Sequence, residues 1–128
     1  MKILTVENIV NALQATLVNG EEFKEKALEG AAIDSRKVEK DNLFFAIKGD
    51  KVDGHDFIKA AFDNGAGAVI CERVPEGEEG ICIVVEDTVE ALKKLAAYYP
   101  LDRQVLTKRI HLKVQGLLSY PKPLRWYR

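Results

Sequence analysis

Few folds can accommodate the run Leu43-Phe44-Phe45-Ala46-Ile47 together with what flanks it. Five consecutive apolar residues, rich in aromatic and β-branched types and bounded by polar turns, suit a strand covered on both faces. An α/β layering, with helices on both faces of a sheet, gives a strand two covers. Just after it, Lys48 to Gly54 is polar and holds two glycines, Gly49 and Gly54, before the apolar Phe57-Ile58 opens a helical pattern. Open α/β sheets place ligands at such a loop between a buried strand and a helix. Asp53 is a natural N-cap for that helix. Upstream, Ala31-Ala32-Ile33 leads into Asp34-Ser35-Arg36, three polar side chains in a row.

The rest of the chain up to Tyr99 fits the same class. Val6, Ile9, Val10 and Leu13 share one helical face behind a Thr5 cap. Strands are expected at Ala15–Val18, Ala31–Ile33, Leu43–Ile47, Ala68–Cys71 and Ile81–Val85. Glu21 to Glu29 reads as a loop or a ragged strand edge. A helix from Phe57 stops at Asn64-Gly65. Asp87-Thr88-Val89-Glu90 has the form of a capping box and opens a helix with Val89, Leu92, Ala96 and Tyr99 on one face. Alternating strands and helices predict an α/β fold, a three-layer domain with a small mixed or parallel sheet flanked by helices.

Charge divides the chain. Residues 1–99 carry 12 basic and 19 acidic side chains, net −7, and residues 100–128 carry 7 basic and one acidic, net +6. A reversal of this kind marks a boundary, so residues 1–99 form one expected domain and 100–128 an atypical basic tail. The whole-chain balance of −1 argues against a general nucleic-acid or membrane partner. The sequence has no signal-peptide pattern and no apolar run approaching a membrane span, so a cytoplasmic location is expected. Cys71 and Cys82 sit in apolar strands and read as small core residues rather than metal ligands.

Asp34-Ser35-Arg36, the turn before Leu43–Ile47, Gly49, Asp53-Gly54-His55-Asp56-Phe57, Ala66-Gly67-Ala68-Val69-Ile70 and Val85-Glu86-Asp87-Thr88 together resemble the amino-terminal domain of the Mur ligases, over residues 1 to 99. Within the family the wording is closest to the branch that adds D-alanyl-D-alanine to UDP-N-acetylmuramoyl-tripeptide. The branch that adds the third amino acid has a similar first domain. The resemblance implies peptidoglycan-precursor synthesis and a role in holding the UDP end of the UDP-N-acetylmuramoyl-peptide. The alternative is a non-catalytic module binding a phosphorylated metabolite on the same scaffold.

The candidate ligand-binding residues are Asp34, Ser35, Arg36, Gly49, Asp50, Lys51, Val52, Asp53, Gly54 and His55. Ser35 resembles a family serine that meets the nucleotide-sugar; taken locally it would close a turn. Arg36 could neutralise phosphate or pair with Asp34. Asp34 suits a structural acceptor of loop amides. Gly49 and its neighbours would offer N–H groups to a pyrophosphate. His55 reads locally as structural. No catalytic residue and no metal ligand is expected. The full-length family uses ATP and Mg, but the chain has no Gly-Lys dipeptide from which a phosphate loop could be built, so no cofactor is expected in it. In the tail, where the family's ATP-binding domain begins, the sequence departs from the family.

Overall fold

Thr5 starts the first helix as expected: its Oγ1 accepts the amide of Asn8 at 3.1 Å. The helix α1 spans Val6–Leu13, buries Val6 and Ile9, and ends where Gln14 turns left-handed. In the computed structural model, which describes residues 4–98, the chain continues through β1 (Thr16–Val18), β2 (Ala31–Ala32), β3 (Leu43–Phe45), α2 (Ile58–Asp63), β4 (Ala68–Cys71), β5 (Cys82–Val84) and α3 (Thr88–Tyr98). Short 3₁₀ turns cover Glu21–Phe23, Ser35–Lys37 and Gly54–Phe57. The expected basic tail and Tyr99 lie outside the described residues.

The five strands form one mixed sheet in the order β1-β5-β4-β3-β2. β2, β3, β4 and β5 run parallel, and β1 closes the far edge antiparallel to β5. The parallel strands therefore finish along one rim, and β2, the edge strand, finishes beside β3.

Burial follows the period-2 rule of a strand with two covered faces. Leu43, Phe45 and Ile47 pack with Ala68, Ile70, Ile83 and the helix residues Val6, Ile9, Leu92 and Leu95. Phe44 and Ala46 face the other way, with Val69, Cys71, Cys82, Ile58 and Ala61. Helices α1 and α3 thus cover one face and α2 the other, giving three layers. Each fully buried large side chain contributes roughly 1.5–3 kcal/mol of hydrophobic burial, which a polar residue in the run would forfeit. The buried stripe of α3 is Ala91, Leu92 and Leu95, with Val89 and Ala96 at its margin. Cys71 and Cys82 are free and buried on neighbouring strands; hydrogen bonding to Cys71, together with burial, pushes the Cys82 thiol up. That makes it a poor nucleophile, in keeping with a core role.

β4 has its expected bounds, Ala68–Cys71, whereas the other four strands are shorter than the runs that encode them. β3 ends at Phe45, though Ala46 still donates to Ile70 O at 2.9 Å. The 21–29 segment is neither a plain loop nor a strand edge. After its 3₁₀ turn it runs beside α1, where Lys24 O and Lys26 O accept the Glu7 and Val6 amides, and Thr5 bridges Ala27. It thereby satisfies amides that a helix start leaves without partners. Among the described residues no helix is long and apolar enough to cross a membrane.

Candidate functional site

The site is built where β2, β3 and β4 finish. After β2 the chain enters the 3₁₀ turn of Ser35–Lys37, capped by Asp34, whose Oδ1 accepts the Arg36 amide at 3.0 Å. The same carboxylate grips the Arg36 guanidinium through Nε at 3.0 Å and Nη2 at 2.8 Å. Of the two roles open to Arg36, the structure shows the ion pair, in a fork-like bidentate geometry. The hydrogen bond from Arg36 to Asp34, reinforced by the charge of Asp34, raises the guanidinium pKa further. The arginine side chain is 80% exposed and Asp34 is buried, so the pair anchors the turn rather than reaching into it.

Ser35 is different. Only 8% exposed, it makes backbone bonds through its carbonyl, which accepts Asn64 Nδ2 at 2.8 Å, yet its hydroxyl has no hydrogen-bond partner among the described residues. A hydroxyl left unpaired on a buried residue is costly to the extent that water is kept from it. The turn-closing role is thus not what its side chain does.

The loop after β3 folds back on itself. Lys48 and Asp53 form an antiparallel bridge, in which Gly49 N donates to Val52 O at 2.7 Å and Gly54 N to Ile47 O at 2.9 Å. A Cβ on Gly54 would lie 2.6 Å from Ile47 N, so this close approach requires glycine. The amides of both glycines are thus engaged inside the loop. The amides of Asp50, Lys51 and Val52, at the tip, make no backbone hydrogen bond among the described residues. Val52 is exposed at that tip.

Asp53 caps as expected, but the helix it starts is a 3₁₀ turn that passes into α2 at Ile58. Its Oδ1 accepts His55 N at 2.9 Å and lies 2.7 Å from His55 Nδ1, while Oδ2 accepts Arg73 Nη2 at 3.1 Å. Burial pushes its acidity the other way, but the His55 amide, the His55 ring and Arg73 outweigh it and bring Asp53 down to about 2. His55 is buried and bonded at both nitrogens: Nε2 accepts the Glu72 amide at 2.8 Å, so the ring proton sits on Nδ1. His55 is a structural tie between two rim loops, in line with its local pattern. Glu72 continues the tie, its carboxylate accepting the Thr88 amide at 3.1 Å at the start of α3.

The structure thus brings Asp34, Ser35 and Arg36 to the end of the edge strand, and Gly49 to His55 to the end of its neighbour. Three residues outside the sequence-derived ligand candidates join them: Asn64, Glu72 and Arg73. Glu72 and Arg73 follow β4 directly. The strand-end rule that flags the 48–54 loop flags them too, once β4 is known to be parallel.

Known proteins are similar to this chain in sequence and fold. Residues 27–100 match the family described as "Mur ligase family, catalytic domain". UDP-N-acetylmuramoyl-tripeptide–D-alanyl-D-alanine ligase of Bacillus subtilis (strain 168) is 39% identical over 97 residues, which are 74% of this chain and 21% of that protein. UDP-N-acetylmuramoyl-L-alanyl-D-glutamate–2,6-diaminopimelate ligase of Aquifex aeolicus (strain VF5) is 48% identical over 71 residues, 56% of this chain and 14% of that one. A crystal structure of MurF from Acinetobacter baumannii superposes with a TM-score of 0.67 at 31% identity, over 77% of this chain and 21% of that one. The chain therefore spans about a fifth or less of the length of these relatives. With more than half of its residues matched and the five-stranded mixed sheet in common, this chain belongs to the Mur ligase family and has the fold of that family's amino-terminal domain.

Proposed function

We propose that the rim formed by Ser35 and the Gly49–His55 loop recognises the UDP end of UDP-N-acetylmuramoyl-tripeptide, as the substrate-binding part of an ATP-dependent ligase that adds D-alanyl-D-alanine in peptidoglycan synthesis. The observation that carries this reading is Ser35, a buried residue whose hydroxyl has no hydrogen-bond partner among the described residues. A ligand oxygen would satisfy it. The tip amides of Asp50, Lys51 and Val52 offer further donors, and exposed Val52 offers an apolar surface to a base. Arg36 takes a supporting part here, holding the turn through Asp34.

ATP does not fit these residues. Its triphosphate needs a glycine loop with free amides and a lysine, whereas the amides of Gly49 and Gly54 are engaged and the sequence holds no Gly-Lys pair. In this proposal ATP, Mg and amide-bond formation belong to other parts of a Mur ligase. The domain boundary falls near residue 99, and the work is cytoplasmic, as the family resemblance implies.

The test is an NMR titration of the protein with UDP and with UDP-N-acetylmuramoyl-tripeptide. Amide shifts are expected at residues 34–36 and 48–55. Ser35→Ala should keep the fold and weaken binding by roughly 1–3 kcal/mol, the value of a hydrogen bond to a charged group. Shifts confined to the basic tail, or an unchanged Ser35→Ala titration, would overturn the assignment. The 48% identity to a diaminopimelate-adding relative favours one second reading, the branch that adds the third amino acid. The shorter UDP-muramoyl-dipeptide would then bind at least as well as the tripeptide form.

A further inference from the structure

Two arginines stand on the strand-end rim, and they are held differently. Arg36 has its Nε and Nη2 committed to Asp34. Arg73 gives a single Nη2 to Asp53, at 3.1 Å, and its Nε and Nη1 have no partner among the described residues. Its side chain is 61% exposed. The carboxylate that holds it does not move freely. Asp53 forms the base of the 48–53 loop and is itself fixed by the amide and ring of His55. The ring is anchored in turn on the Glu72 amide, one residue before Arg73. Arg73 is thus a cation tethered at one corner, with the rest of its planar fork open beside the loop.

We propose that Arg73 is the phosphate-contacting cation of this rim, pairing with the diphosphate of a nucleoside diphosphate while Asp53 keeps its fork in place. The inference rests on reading the rim as a nucleotide site and adds a residue to it. Guanidinium suits this task because its parallel N–H donors match two phosphate oxygens, whereas Lys48 and Lys51 on the loop offer only point charges on flexible stems. A pre-positioned fork also loses less side-chain freedom on binding.

The experiment measures UDP, inorganic pyrophosphate and uridine against the wild-type chain, Arg73→Gln and Arg73→Lys, with amide spectra to verify the native fold of each variant. Arg73→Gln should weaken UDP by about tenfold or more and leave the weak uridine shifts unchanged, with Arg73→Lys in between. If UDP binds and Arg73→Gln stays within about twofold of wild type, Arg73 is a surface ion pair of ordinary small effect, and the inference falls while the nucleotide reading stands. If UDP fails to bind but pyrophosphate binds in an Arg73-dependent way, the inference stands and the uridine assignment falls. If neither binds the wild-type chain, both fall.

Discussion

The rim where the parallel strands finish has two ends, and they differ in what their polar groups are doing. At the β5 end, a cleft of about 790 Å³ opens between α1, β1 and the start of α3, lined by Glu72, Glu86, Asp87, Glu90 and Lys94. Most of its carboxylates are occupied. Glu72 accepts the Thr88 amide, Asp87 accepts the Val89 and Glu90 amides at 2.9 and 3.2 Å, and Glu90 pairs with Lys93. These are helix-start contacts, and their negative charge would repel a diphosphate. At the β2–β3 end the hydroxyl of Ser35, three loop amides and most of an arginine fork remain unpaired among the described residues. Unspent hydrogen-bonding capacity is the guide to where an anionic ligand would sit.

The contrast can be broken most forcefully at Gly54. Gly54→Ala places a methyl against the Ile47 backbone and should cost roughly 2–3 kcal/mol, while pushing the 48–53 loop off its seat. Denaturant unfolding gives the loss, and amide shifts should concentrate at the β2–β3 end and spare the start of α3. An unchanged midpoint would show that the loop's position does not depend on this approach.

Acid offers a somewhat smaller effect at the same end. Because Asp53 is held down at about 2 in the fold against an ordinary value near 3.8, its ionised form stabilises the native state at neutral pH, and that contribution is fully present above about pH 4. It is lost as pH falls through about 2, and amounts to roughly 2 kcal/mol. The stability difference between wild type and Asp53→Asn, followed by urea unfolding, should therefore shrink between pH 4 and pH 2. A difference that stays constant across that window would mean that His55 and Arg73 do not hold the carboxylate.

The smallest effect is expected at the opposite end. Asp87→Ala removes the acceptor for two α3 amides and should cost about 1 kcal/mol of stability, the usual value of an N-cap, with UDP affinity unaltered. A loss of UDP binding as large as that of Ser35→Ala would move the site to the cleft and overturn the comparison.

Several of these features are legible in the amino-acid sequence. The unbroken apolar run of Leu43–Ile47 announces its two-faced burial, and the caps at Thr5, Asp53 and Asp87 and the stop at Asn64-Gly65 depend on groups within a few residues of each other. Gly65 meets its expectation for a stated reason: its φ of +111° is open to glycine and strained for other residues. The capping box forms only in part. Asp87 caps, but Glu90 turns to Lys93, one turn along the helix. The pairing of Arg36 with Asp34 is one of two local options, and two residues of separation suffice to make it.

Periodicity and capping act over a turn or a strand, and they are enough to specify the layers, the order of elements and the segments that reach the rim. Which polar groups are left over at that rim is a matter of tertiary packing. Whether the Gly49 amide is free depends on how the loop closes on Val52. The bond from the Glu72 amide to His55 spans 17 residues, and that from Arg73 to Asp53 spans 20. Both exist because parallel pairing of β3 with β4 sets the ends of the two strands side by side, and no local pattern encodes that register.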